Sequence, residues 1–196
     1  MSDVQTLPIF PLGSVLFPGG RLALRVFEPR YVDMTKACIR DSTVFGVTLI
    51  KAGFEVGAPA IPYDIGCTAR IVDWDMPSPN MFTLVAEGIA LFRIVDRHTQ
   101  DDGLIVAETQ LIDPPDPTPL PARHEPMAAL LRRLVDEVGA GRLMLQPRFD
   151  DAVWVAYRVT ELLPIAPERK QAVLELDEPA AMLGEVERLL KDLRED

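Results

Sequence analysis

Asp113-Pro114-Pro115-Asp116-Pro117-Thr118-Pro119-Leu120-Pro121 places five prolines in nine positions. Proline has no amide hydrogen and fixes φ, so this stretch can be neither helix nor central strand and reads as a stiff, extended connector. The hydrophobic period differs on its two sides. Before it, short runs rich in Val, Ile, Leu, Thr and Phe recur between turn residues, at 7–10, 22–26, 44–50, 67–74, 82–87, 90–96 and 104–112. After it, apolar residues fall at helical spacing. The division predicts an α+β chain with strands in 1–113, a linker over 114–122 and helices in 123–196.

Toward the amino terminus, the runs alternate in the manner of half-buried strands. In the stretch from Cys67 to Asp73, Cys67, Ala69, Ile71 and Asp73 share one face while Thr68, Arg70 and Val72 share the other. Short strands recurring at this spacing suggest a compact barrel or curled sheet. One helix interrupts them. Pro29 suits a first helical position and the Glu28 carboxylate favours the positive end of the dipole; Tyr31, Met34, Cys38 and Ile39 supply the apolar stripe, and Asp41-Ser42 ends it.

Toward the carboxy terminus, Met127, Leu130, Leu131, Leu134, Val135 and Val138 follow a helical stripe, which Gly139-Ala140-Gly141 stops as a left-handed cap. Phe149, Val153, Trp154, Tyr157 and Leu163 form a second amphipathic segment closed by Pro164. Pro167 opens a third that runs to about Leu176, and Pro179 opens a fourth carrying Met182, Val186, Leu189, Leu190 and Leu193. Helices this short are marginal alone and must pack.

At 196 residues, with 48% hydrophobic and 26% charged side chains, the chain can bury a real core. A net charge of −10 repels phosphates, so nucleic acid and anionic lipid are poor partners. No basic stretch leads into an apolar one, and no apolar run approaches the roughly 20 residues of a membrane span, so the expected location is cytoplasmic. Cys38 and Cys67 read as small buried hydrophobes in a reducing compartment.

Reactive constellations are scarce. No Gly-Lys-Ser/Thr loop is present, and Gly19-Gly20-Arg21 follows Phe17-Pro18 in what reads as a tight turn. His98 and His124 read as solvated residues, with no metal-ligand spacing around them and no cofactor implied. Ser2, Ser14, Ser42 and Ser78 lie in turn-like contexts without a nucleophile elbow. The pairs Asp73/Asp75 and Asp101/Asp102 read as surface charge. The expectation is a protein that is not an enzyme. The best binding candidates are Trp74, Met76, Met81 and Phe82, clustered around the proline-rich tip Pro77-Ser78-Pro79-Asn80, since large adaptable apolar side chains on a hairpin tip suit varied peptides. The alternative is that they pack beneath the hairpin.

Leu7-Pro8-Ile9-Phe10-Pro11-Leu12-Gly13, Leu16-Phe17-Pro18-Gly19, and Leu22 through Val26-Phe27-Glu28-Pro29-Arg30-Tyr31 resemble in type and spacing the opening of the Lon protease amino-terminal, substrate-binding domain family. Phe45-Gly46-Val47-Thr48-Leu49-Ile50, Ile65-Gly66-Cys67-Thr68-Ala69-Arg70-Ile71, Gly88 and Phe92-Arg93-Ile94 are similar to its later segments, as is the stretch from Leu162-Leu163-Pro164 to Glu175. Pro77-Ser78-Pro79-Asn80 and Ala90-Leu91 depart from the family pattern. The resemblance implies a pseudouridine-synthase-and-archaeosine-transglycosylase-like (PUA-like) β-barrel with one inserted helix, followed by a carboxy-terminal helical bundle. It also implies a non-catalytic, ATP-independent, stand-alone module that binds a polypeptide or protein partner. Phe27, Glu28, Pro29, Arg30 and Tyr31 form its structural motif: Phe27 and Tyr31 pack a strand end on the helix, and Glu28 and Arg30 cap or bridge that corner. An RNA-binding PUA-like protein is the alternative, requiring a basic groove with stacking aromatics. A hydrolase with titratable groups converging between the two halves is a third.

Overall fold

The structure, a computed structural model, describes residues 4–138 and 147–195. The chain divides into two compact units, Met1–Asp113 and Pro114–Asp196. The first holds six strands and a helix: β1 (Val4–Leu12), β2 (Arg21–Val26), α1 (Pro29–Asp41), β3 (Phe45–Ala52), β4 (Ile61–Ser78), β5 (Met81–Thr99) and β6 (Ile105–Leu111). They form one sheet in the order β2-β5-β4-β3-β1-β6, and β5 also pairs with β6, so the circuit of pairings returns on itself. Among the described strands β1 and β3 run parallel and every other pair antiparallel.

Two strands expected at 82–87 and 90–96 are the single strand β5, and the strand expected from residue 67 begins at Ile61. The apparent break in β5 is a bulge. Cys67 pairs with Leu91 and Ala69 with Gly88, which leaves Ile89 and Ala90 opposite Thr68 alone. The Thr68 hydroxyl donates to the Ala90 carbonyl at 3.2 Å and accepts from its amide at 3.1 Å, replacing the lost ladder bonds. For this reason Thr68 is buried although it lies on the alternate face, while Asp73, placed with Cys67 by the alternation, is exposed beyond a second register shift.

The prolines of β1 sit where the ladder does not need them. β1 pairs with β6 over residues 4–9 and with β3 over 9–12. Pro8 therefore has no partner strand on its β3 side, and Pro11 has none on its β6 side, so neither has to supply a bond in both directions.

The glycines explain how the strands approach. Phe92 is fully buried among Leu7, Ile9, Ile105 and Ala107. A Cβ on Gly46 would lie 2.7 Å from its ring and 2.6 Å from Ile9 Cδ1; one on Gly66 would lie 2.8 Å from the ring and 2.4 Å from the Val47 carbonyl oxygen. Gly88 meets the Phe17 carbonyl oxygen at 2.2 Å by the same construction, and its amide donates to Gly20 at 2.9 Å. Phe17-Pro18-Gly19-Gly20 closes as the expected tight turn, with Gly19 at φ +73° and the Gly20 amide donating to Phe17.

The second unit begins with residues 114–117 outside any regular element; then Thr118 and Leu120 exchange backbone bonds with Ala152 and Asp150. A 3-10 turn (Ala122–His124) leads into α2 (Glu125–Val138), followed by α3 (Ala152–Leu162), α4 (Pro167–Leu174) and α5 (Pro179–Glu195). Pro167 and Pro179 open their helices as expected. In α2 the buried row is Met127, Ala128, Leu131 and Val135, whereas Leu130, placed on the stripe from sequence, is half exposed. The glycine stop at 139–141 lies outside the described residues. α3 is not amphipathic but buried on all sides from Trp154 to Thr160, which marks it as the central helix of this unit. Asp151 caps it, its carboxylate accepting from Val153 and Trp154 at 2.9 and 3.1 Å. His124, expected at the surface, is buried, with Nε2 2.9 Å from a Glu187 carboxylate oxygen; His98 is exposed. In the last turn of α3, Glu161 sits 3.0 Å from the buried Arg158 guanidinium, and Lys170 donates to the Glu161 carbonyl at 2.8 Å. Burial pushes the Glu161 carboxyl up to about 7 against the pull of Arg158 and Lys170.

Two predictions follow from this packing. Alanine at Gly66 meets an immovable backbone carbonyl and should cost about 3 kcal/mol, with no relief from Phe92→Leu; alanine at Gly46 meets only side-chain ends, so Phe92→Leu should couple favourably to it by about 1 kcal/mol in a denaturation double-mutant cycle. Equal coupling at both sites would contradict the packing. For Glu161, the folded chain holds the proton more tightly than the unfolded chain, so stability should fall as pH rises from 4.5 toward 7. The fall is at most about 3 kcal/mol. Glu161→Gln should flatten that slope relative to the parent chain, and parallel stability–pH curves would refute the assignment.

Candidate functional site

Among the described residues β2 pairs with one strand, β5, and nothing pairs with its other edge. Leu22, Leu24 and Val26 face inward, from half-buried to buried, and the chain then turns at Phe27 into α1. The turn is built by the sequence motif, through the bridge between Glu28 and Arg30 and not through a side-chain cap. Glu28 takes the N-cap position without a side-chain capping bond. Its carboxylate instead bridges Arg30 Nη2 at 2.9 Å and accepts from the Gly57 amide at 3.3 Å. Arg30 is buried, donates to the Gly103 carbonyl at 3.3 Å, and lies over the Tyr31 ring at 4.8 Å. Tyr31 stacks on Phe10 with ring centroids 4.0 Å apart, and Phe45 stands 6.4 Å from Phe10. Phe27 takes no part in this stack: 52% of it is exposed.

A groove of about 360 Å³ opens beside this corner. Its floor includes Phe10, Leu12 and Tyr31, one flank is β2 with Phe27, and the other is formed by Glu55 and Val56 of the β3–β4 loop. That loop is fastened at two points, by Glu55 to the Gly13 amide and by the Gly57 amide to Glu28. Gly53 and Gly57, at φ +96° and +99°, bracket Phe54-Glu55-Val56. Phe54 is 82% exposed and Val56 55% exposed. Phe54, an exposed aromatic on this fastened loop, is a candidate contact that sequence reading missed, because a short run between glycines carries no period. The only legible signal was an aromatic with no strand or helix to belong to.

The residues singled out from sequence separate into different roles. Phe82 is 4% exposed and lies opposite Val26 in the β2–β5 ladder, so it is core and unavailable to a ligand. Trp74 leans on it with ring centroids 5.9 Å apart and keeps 49% of its surface, because β4 beyond Ala69 has no β3 partner. Met81 accepts from Arg25 at 3.2 and 3.3 Å through its sulfur, and Met76 is half exposed. A smaller pocket of about 180 Å³ lies between Trp74 and the end of α1, lined also by Ile39, Thr43, Arg70 and Ile71.

Burial raises the Tyr31 phenol despite the opposing charge of Arg30, so it stays protonated at neutral pH. Glu28 and Glu55 are held by their partners. Cys38 and Cys67 are both buried, and burial raises the Cys38 thiol. Among the described residues no group of three or more His, Cys, Asp or Glu could hold a metal, and no helix is long and apolar enough to cross a membrane.

Comparison with known proteins agrees with this architecture. Residues 6–192 match the family described as the ATP-dependent protease La (LON) substrate-binding domain. The chain is 29% identical over 196 residues to a Lon protease of Anaeromyxobacter dehalogenans (strain 2CP-C), and 30% identical over 199 residues to Lon protease 2 of Myxococcus xanthus. These alignments cover 96% and 97% of this chain but 23% and 24% of those proteins, so the chain spans about a quarter of their length. A Lon N-terminal domain protein from Xanthomonas campestris superposes with a TM-score of 0.76 at 34% identity, covering 95% of this chain and 98% of that one. The N-terminal domain of a Mycobacterium avium complex Lon protease shares the fold, with a TM-score of 0.63 at 13% identity, covering 96% and 99% of the two chains. The fold is thus the mixed α+β Lon N-terminal fold, with its six-stranded sheet and several helices, and the chain belongs to the LON substrate-binding domain family.

Proposed function

We propose that the chain is a non-catalytic polypeptide-recognition module, a PUA-like barrel joined to a helical bundle, that acts in the cytoplasm and engages unfolded or extended segments of other proteins. Membership in a substrate-binding family supports recognition as the role. The relatives' additional length, which these alignments do not include, is where their proteolytic activity would reside. The observation that carries the reading is the groove itself: an apolar floor with Phe27 and Val56 exposed along its flanks, and Phe54 exposed on the loop that carries Val56. Large apolar groups left in water cost free energy that a ligand recovers on binding, at roughly 25 cal/mol per Å² covered. Trp74 and Met76 are assigned a supporting contact beyond the groove, Met81 holds Arg25 in place, and Phe82 supports Trp74 from below.

The test uses a permanently unfolded, carboxymethylated protein as ligand. Phe54→Ser combined with Val56→Ser should weaken binding by about fivefold or more, since residues that anchor an interface cost over about 1 kcal/mol when truncated. Stability should shift by no more than about 0.5 kcal/mol, because both side chains are exposed. Trp74→Ser with Met76→Ser should have a smaller effect. Unchanged affinity in the loop variant, or salt-sensitive RNA association that outcompetes the polypeptide, would overturn the assignment.

A further inference from the structure

Resting on that reading of polypeptide recognition, we infer that the free edge of β2 takes up an extended segment as an added strand. The segment carries a bulky apolar residue at every second position and an acidic residue opposite Arg25. The backbone supplies the first part of the argument. The Gly88 amide donates to Gly20, which fixes the ladder phase, and hydrogen-bonded pairs recur every second residue in an antiparallel ladder. With Leu22, Leu24 and Val26 opposite Ala86, Leu84 and Phe82, their backbone groups point at β5. Those of Arg21, Ala23 and Arg25 point outward. An outward row of amide and carbonyl groups is complementary to extended polypeptide and to little else.

Side-chain geometry sets the pattern of the ligand. One face of β2 presents Leu22, Leu24 and Val26 to the groove over Phe10 and Tyr31. The opposite face presents Arg21, Ala23 and Arg25; Ala23 and Arg25 line a shallow trough of about 390 Å³ with Thr83, Val85, Asp73 and Asp75 of the neighbouring strands. Alternate residues of an added strand would therefore enter the apolar groove, and the intervening ones would stand beside the arginines. Arg21 already has the Glu87 carboxylate at 3.7 Å. Arg25 contacts only the Met81 sulfur and pairs with no carboxylate among the described residues, so it is the cation still able to take one. Cross-strand pairs of opposite charge stabilise a ladder, and like charges oppose it.

The other open edge is less suited. β4 from Arg70 onward also lacks a second neighbour, yet register shifts after Ile71 and after Asp75 break its line, and Asp73 and Asp75 flank it with negative charge. Bulges and charge of this kind discourage strand addition.

The experiment uses the full chain and four synthetic peptides: one alternating leucine or phenylalanine with glutamate, the same with lysine, the glutamate peptide N-methylated on its alternate amides, and a scrambled control that groups the apolar residues. The glutamate peptide should bind about fivefold more tightly than the lysine peptide, and Arg25→Glu should reverse that order. N-methylation should lower affinity about tenfold. Amide hydrogen exchange of Ala23 and Arg25, whose groups face outward, should slow on binding. Binding that is indifferent to N-methylation, or protection at residues 72–76 in place of 21–25, overturns strand addition while leaving polypeptide recognition standing. Failure of every peptide and of the unfolded protein to bind overturns both.

Discussion

The ring of Phe92 occupies space that exists only because residues 46 and 66 have no side chain. Three strands come within van der Waals reach of one another there, and the consequences spread along β5, which carries the ring. β5 is the longest of the described strands; it pairs with β4 from Met81 to Arg93, with β2 on its other side over 82–87 and with β6 over 92–99. Its seating fixes where each partner lies. The Thr68 hydroxyl lets β5 absorb an extra residue without an unpaired amide, so the strand can turn from one set of partners to the next while remaining continuous. A strand that serves three neighbours cannot shift register for one without disturbing the others.

From that arrangement the groove follows. β2 is held by β5 alone, so the sheet reaches its end beside the Phe10–Tyr31 stack. The corner between β2 and α1 is fixed electrostatically: Arg30 is buried, and its charge is met by Glu28, by the Gly103 carbonyl and by the face of Tyr31. Removing a partner from a buried cation is more costly than the pair's net contribution. Glu28 serves the corner and the β3–β4 loop together, so the wall of the groove is tied to its floor through one carboxylate.

What the sequence revealed and what it hid divide along physical lines. Proline and glycine positions were legible because their effects are local. The Phe17–Gly20 turn and the starts of α1, α4 and α5 all depend on a residue's own backbone. Strand number was misread at Gly88 to Ala90, where a bulge looks like a turn unless the side chain opposite is known. The all-round burial of α3, the burial of His124 and the division of the 74–82 segment into core and surface depend on which neighbours arrive from distant parts of the chain, and periodicity contains no such information. Phe54 went unseen for a related reason: a short segment gives no pattern to read, and its exposure results from where the loop is fastened.

The arginines of β2 have a bearing on self-association. A two-fold pairing of the edge with a second copy, centred on Ala23, would set Arg21 of each molecule directly across from Arg25 of the other, so homotypic ladder growth meets charge repulsion at both ends of a six-residue strand. The same short spacing of cations that discourages polymerisation leaves the edge open to a foreign chain of opposite sign, which would let the molecule remain dispersed while exposing an unsatisfied backbone.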